Sequence, residues 1–278
     1  MKVKPILDIF ITFTSWCPFV ILYAIFYLFN SHKNYIYPKT NLTEPLKIFT
    51  DTIHIKTADN IDQYIYMINN KSSIDIVFFG GNNIDAKWLS ETCYNLQNKT
   101  RYNVLSIIYR GYNGIEAEPN EIGLMLDTYA IYDYIKQYRK NKRFVCMGLS
   151  LGCSLALYLA ELLGDDFKKV CILENGFFNM KLKVEESLGN FSWLSFLLTE
   201  KYENDKRVIK LKSQNTQFLF ITSSNDKNIG NHHSKMLMAL LDGNCVHKIF
   251  DADHMTACFD KNYFSTIDDF IKKKLNYI

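Results

Sequence analysis

Residues 47–57 and 63–68 alternate apolar and polar side chains, and Ala58-Asp59-Asn60 forms a turn between them. A period of two marks strands with one buried face, so the pair reads as an antiparallel hairpin at the edge of a sheet. Beyond residue 70 the pattern changes. Residues 74–79, 104–109, 143–147, 169–173, 217–222 and 245–250 are short, largely apolar runs, as expected of strands buried on both faces. Helix-period segments lie between them: one through Trp88, Leu89, Cys93 and Leu96, one opened by Pro119 and Glu121, one over 155–163 closed by Gly164, and one over 267–271. Strands alternating with helices predict a mostly parallel sheet with an antiparallel edge strand and helices on both faces, an α/β class domain.

The first thirty residues follow neither pattern. From Ile9 to Phe29 no residue is charged, a run of the length that crosses a bilayer core as a helix. Trp16, Tyr23, Tyr27 and Pro18 are all tolerated in such a helix. Lys2 and Lys4 also fit a cleaved signal peptide, but the run is long for one and Asn30-Ser31-His32-Lys33 offers no small-x-small cleavage site. The expectation is a single-pass anchor over 1–34, a linker over 35–45, and one domain over 46–278 with a cap insertion at about 177–211. The side of the membrane is not readable, because Lys2 and Lys4 are matched by Lys33 and Lys39.

Composition narrows the function classes. With 278 residues, 48% hydrophobic and 22% charged, the chain can bury one large core. A net charge of +3 on scattered lysines gives no support for nucleic acid as a partner. The seven cysteines form no Cys-x-x-Cys pair and no disulfide or zinc framework, and Cys17, Cys146, Cys153 and Cys171 fall where small buried thiols are common. Sequons at Asn41, Asn70, Asn98 and Asn190 match the asparagine-rich composition and require no glycosylation. No cofactor and no metal is expected.

The chemistry is carried by Gly148-Leu149-Ser150-Leu151-Gly152, set between an apolar strand and a helix. In that context a Gly-x-Ser-x-Gly pattern describes a sharp turn that lifts a serine hydroxyl above a sheet, beside the free N–H groups of a helix start. In such sheets, reactive groups gather at the C-terminal ends of the strands. Asp226 follows the strand over 217–222 and His254 follows the strand over 245–250. A serine needs a base to take its proton and a carboxylate to orient that base, which makes Ser150, Asp226 and His254 the catalytic candidates. Glu174, at the end of the preceding strand, rivals Asp226. Asp251 and Asp253 sit on the histidine's own loop, where reaching its far ring nitrogen is awkward. His232 and His233 open a helical run and read as a solvated or pocket-rim pair, and neither pair requires a metal.

The chain resembles the membrane-anchored α/β-hydrolase-domain proteins, serine hydrolases related to protein depalmitoylases, over about residues 47–259. The resemblance rests on Tyr109-Arg110-Gly111-Tyr112 with Glu116, Glu118 and Pro119, on the serine motif, on Ile172-Leu173-Glu174-Asn175 with Phe177, and on Asp226 with Ile229, His233 and Ser234. It implies an α/β-hydrolase fold with a small helical cap, preceded by a transmembrane helix, and a triad of Ser150, Asp226 and His254. Where the family has His-Gly-Asn this chain has Gly80-Gly81-Asn82. Backbone N–H groups can still form the oxyanion hole, so it is assigned to Asn82 and Leu151. Ile229-Gly230-Asn231 stands where relatives have prolines, which questions the rigidity of that loop. Leu188, Phe191, Trp193, Leu194, Phe196, Leu197 and Leu198 crowd the cap, either as a lid-like surface over the serine or as packing for the cap helices. The functional expectation is a membrane-anchored enzyme cleaving an ester or thioester of a small-molecule or acylated-protein substrate through an acyl-enzyme. The alternative is a catalytically silent, membrane-tethered binding module of the same fold.

Overall fold

The computed structural model describes residues 33, 34, 36–38, 47–243 and 245–275. The anchor expected over 9–29 lies outside them, and among the described residues no helix is long and apolar enough to cross a membrane. Eight strands form one sheet: β1 (Asp51–Lys56), β2 (Asp62–Ile68), β3 (Ile74–Phe79), β4 (Asn103–Ile107), β5 (Arg143–Leu149), β6 (Lys169–Glu174), β7 (Gln217–Ser223) and β8 (Cys245–Phe250). Their order is β1-β2-β4-β3-β5-β6-β7-β8. Only β2 runs against its neighbours; from β4 to β8 every pairing is parallel. The alternating hairpin is thus the sheet edge, and β3 and β4, buried at every residue, lie well inside it.

The described helices are α1 (Ala86–Thr100), α2 (Glu121–Tyr138), α3 (Gly152–Leu163), α4 (Met180–Leu188), α5 (Asn204–Ser213), α6 (Asn231–Ala239) and α7 (Tyr263–Leu275). Helices α1 and α7 pack together, while α2 and α5 flank α3, which lies against β3, β5 and β6. Side-chain caps start three of them. Asp85 accepts from the Trp88 N–H, Asn120 from Gly123 and Asn179 from Leu182, each satisfying a donor that the first helical turn leaves open. This is the α/β-hydrolase architecture, with α4 and the 3₁₀ segment Gly189–Leu197 as its cap.

Two buried ionic groups pin the frame. Asp75 on β3 accepts two bonds from Arg139, at 2.6 and 2.7 Å, and one from Asn103 at 2.6 Å. Arg110, just past β4, donates to Asp59 at 2.6 Å and to Asp127 at 2.7 Å, tying the hairpin turn to α2. Hydrogen bonding to Arg110 holds the Asp59 carboxyl down at about 2. The Tyr-Arg-Gly-Tyr element is therefore scaffold. It also reaches the site, because the Tyr109 hydroxyl donates to the Gly80 carbonyl in the loop after β3.

The segment expected as a linker contributes to the core. Ile36 and Tyr37 are buried, and the Tyr37 hydroxyl lies 2.5 Å from both Glu200 Oε2 and the Tyr202 hydroxyl. Proline and turn composition hid this, because the partners lie more than 160 residues away.

Candidate active site

The turn after β5 is built around close approaches at three glycines, two of them to backbone. A Cβ on Gly148 would lie 2.3 Å from the Gly152 carbonyl oxygen, and one on Gly152 would lie 2.1 Å from that of Phe79. A Cβ on Gly81 would sit 3.3 Å from that of Ser150. Ser150 itself takes φ 55°, the left-handed region that costs a non-glycine residue about 1–3 kcal/mol. Its neighbours hold it there. The Ser150 N–H donates to the Glu174 carbonyl at 2.8 Å, and its own carbonyl accepts from the Cys153 N–H at 3.1 Å as α3 begins.

Asp226 and His254 arrive on the loops after β7 and β8. His254 Nδ1 and Asp226 Oδ2 are 2.6 Å apart, with the aspartate side chain 1% exposed. Asp226 Oδ1 meanwhile accepts the N–H groups of Asn228 and Ile229, at 2.8 and 2.9 Å. The carboxylate thus braces its own loop, which accounts for how Ile229-Gly230-Asn231 can do without prolines. Among the described residues the Ser150 hydroxyl is not hydrogen-bonded to His254; such contacts often tighten only when substrate binds.

Glu174 and Asp251 are occupied elsewhere. Glu174 Oε2 accepts from the Tyr263 hydroxyl at 2.6 Å, and burial pushes its carboxyl up to about 7. Asp251 accepts from Ser224 at 3.1 Å and from the Asn225 amide at 2.8 Å, closing the two loops against each other. Asn175 fastens the histidine. Its amide nitrogen donates to the His254 carbonyl at 2.7 Å and to the Ser223 hydroxyl at 2.9 Å, and its oxygen accepts from the Ser223 N–H. The Leu-Glu-Asn element was visible in the sequence; this positioning work was not.

Ser150, Asp226, His254, Asn82 and Leu151 all line one cavity of about 630 Å³. Its cap-side wall is Phe177, Met180, Lys183, Glu186 and Ser187, and Ile36 closes another side. The apolar cap residues Phe191, Trp193 and Phe196 are absent from that wall and face solvent, so the lid-like surface expected over the serine is not made of them. Met180 and Lys183 sit there instead because Asn179 starts α4 just below the cavity.

The expected solvated or pocket-rim pair is split: His232 is exposed, His233 is buried, neither lines the cavity, and both are joined to the cap. Their Nε2 atoms lie 2.5 and 3.0 Å from the two oxygens of Glu186 on α4. These three side chains place their ligand atoms within 4.8 Å of one another, the one such cluster among the described residues. The donor set does not suit a metal. His233 Nδ1 accepts the Phe178 N–H at 3.2 Å, which puts the proton of the neutral ring on Nε2, the atom a metal would need. Burial also lowers the His233 pKa and keeps the ring neutral.

A model of the prolyl oligopeptidase family matches residues 125–277, more than half of the chain. The chain belongs to the prolyl oligopeptidase family. It is 24% identical to protein bem46 of Schizosaccharomyces pombe, over 91% of this chain and 89% of that protein. It is 28% identical to the uncharacterized membrane protein YNL320W of Saccharomyces cerevisiae, over 60% of this chain and 59% of that one. Among solved structures, the Pyrococcus furiosus esterase Pf2001 superposes with a TM-score of 0.66 at 17% identity, over 85% of this chain and 96% of that one. A Pyrococcus horikoshii acylaminoacyl peptidase superposes at 0.55 and 16% identity, over 84% of this chain and 43% of that one. Family and fold make the chain an α/β-hydrolase of the serine type. The names of the family and of these two structural neighbours cover both ester and peptide hydrolases.

Proposed function

We propose that the protein is a membrane-anchored serine hydrolase that cleaves an ester or thioester through an acyl-enzyme. The observation that carries this reading is the 2.6 Å contact between His254 Nδ1 and Asp226, set in the same cavity as Ser150 at its positive φ. Asp226 fixes the proton on Nδ1 and leaves Nε2 to take the serine proton. The Ser150 oxygen attacks the carbonyl, and the backbone N–H groups of Asn82 and Leu151 stabilise the oxyanion. His254 returns the proton to the leaving alcohol or thiol, and water then releases the acyl group by the same route.

An ester or thioester is favoured over a peptide by the cavity wall. Glu186, a carboxylate that could receive a free amino terminus, is already engaged by His232 and His233. The 9–29 run supplies the anchor in this reading, and the naming of the Saccharomyces cerevisiae relative as a membrane protein is in keeping with it. The test is covalent labelling of the detergent-solubilised protein with a fluorophosphonate probe. Labelling should occur and should vanish in Ser150→Ala. A well-folded protein that takes no label would overturn the catalytic reading and favour a binding module.

A further inference from the structure

The 3₁₀ segment of the cap is turned the wrong way for a protein surrounded by water. Residues 189–198 carry no charge. Phe191, Trp193 and Phe196 are 62%, 60% and 69% exposed, and the Trp193 and Phe196 rings stack with centroids 6.3 Å apart. The buried side chain of this segment is polar: Ser195 points inward and donates to Glu185 at 2.7 Å. Single exposed apolar residues are ordinary; three aromatics on one uncharged turn with a serine inside are a surface built to meet something apolar.

The position of the chain's amino-terminal end says what that is. Ile36 lines the catalytic cavity, and its carbonyl accepts from the Asn82 amide at 3.1 Å. Tyr37 is held by Glu200 and Tyr202, immediately beyond the aromatic turn. Phe29, the last residue of the 9–29 run, is seven residues before Ile36, a reach of at most about 25 Å. Phe196 is four residues before Glu200, at most about 14 Å along the chain. Residues that leave the run are thus fastened to the base of the aromatic turn and to the cavity wall.

We propose that the 189–198 turn docks into the lipid surface of the bilayer that holds the 9–29 run, with Phe191, Trp193 and Phe196 in the headgroup zone and the Ser150 cavity close above it. The inference rests on the anchor in the functional reading above and does not need the catalysis. A tryptophan with its polar N–H edge, flanked by phenylalanines on an uncharged segment, is what this zone accepts.

The test uses the full chain, with Trp16→Phe and Trp88→Phe so that Trp193 is the one tryptophan, reconstituted in phosphatidylcholine vesicles. Lipids brominated on their acyl chains should remove about half or more of the Trp193 emission, as for rings in an interfacial aromatic belt. Further substitution of Phe191→Ser and Phe196→Ser should restore much of it. Emission unchanged by bromolipid overturns the proposal, including the case in which Trp193 is shielded by a second copy of the chain or by the cap itself. Protein that washes off the vesicles overturns it together with the anchor. Fluorophosphonate labelling of the same sample reports folding and the catalytic reading separately: quenching without labelling sinks the hydrolase reading and leaves the docking standing.

Discussion

Among the described residues, His233 faces Glu186 and His254 faces Asp226, two carboxylates that line one cavity, and the difference between the histidines shows what makes a base. His233 spends both ring nitrogens, accepting the Phe178 N–H on Nδ1 and facing Glu186 with Nε2, and its side chain is wholly buried. It is a fastener between α6 and the cap. His254 spends Nδ1 on Asp226, has its backbone carbonyl held by Asn175, and keeps Nε2 for the cavity it shares with Ser150. A short contact to a carboxylate is common to both. What separates them is where the second nitrogen goes.

The sharpest way to break the comparison is at the carboxylates. Asp226→Asn should leave the loop largely intact but present the wrong tautomer of His254, lowering kcat on an activated ester by a factor on the order of 10⁴. Glu186→Gln, the matching change in the other pair, should leave kcat within about tenfold, since that carboxylate touches no proposed reacting atom. Steady-state rates on the two variants check both values.

His233 should matter for stability. His233→Ala leaves a void and an unpaired Phe178 N–H, and should cost about 2–4 kcal/mol of unfolding free energy, measured by urea denaturation. An unaltered midpoint would show that the α6–cap fastening carries no load.

A smaller and pH-dependent effect comes from Glu174, the carboxylate paired with neither histidine. Burial raises its carboxyl from 4.5 to about 7. The folded state therefore holds its proton more tightly, so the stabilisation is fully present below pH 4.5 and is lost as pH rises through about 7. Glu174→Gln removes that loss. Its thermal midpoint should rise relative to the unsubstituted protein between pH 5 and pH 8, by the equivalent of at most about 3 kcal/mol. Parallel midpoints across that range would contradict the buried proton.

Much of this frame was legible in the sequence because it is local. The alternation over 47–57 and 63–68, the apolar strands and the Gly-x-Ser-x-Gly turn each occupy a few consecutive residues, and the edge hairpin and elbow emerged where expected. Asp226 and His254 were legible from their place after strands. The rest depends on partners that no spacing reveals. Asn175 and His254 are 79 residues apart, Glu174 and Tyr263 are 89, and Tyr37 reaches 163 residues to Glu200. The cap was ambiguous for a different reason: its apolar cluster fits packing or a lid in sequence, and only the structure shows Phe191, Trp193 and Phe196 outward with Ser195 turned in.

The central claim, that His254 and not His233 activates Ser150, is tested most directly by the rate of fluorophosphonate labelling of His254→Ala and His233→Ala beside the unsubstituted protein, each compared per folded molecule. The account predicts that His254→Ala loses labelling by orders of magnitude while folded His233→Ala labels at close to the full rate. Labelling that survives in His254→Ala, or disappears in folded His233→Ala, would contradict it.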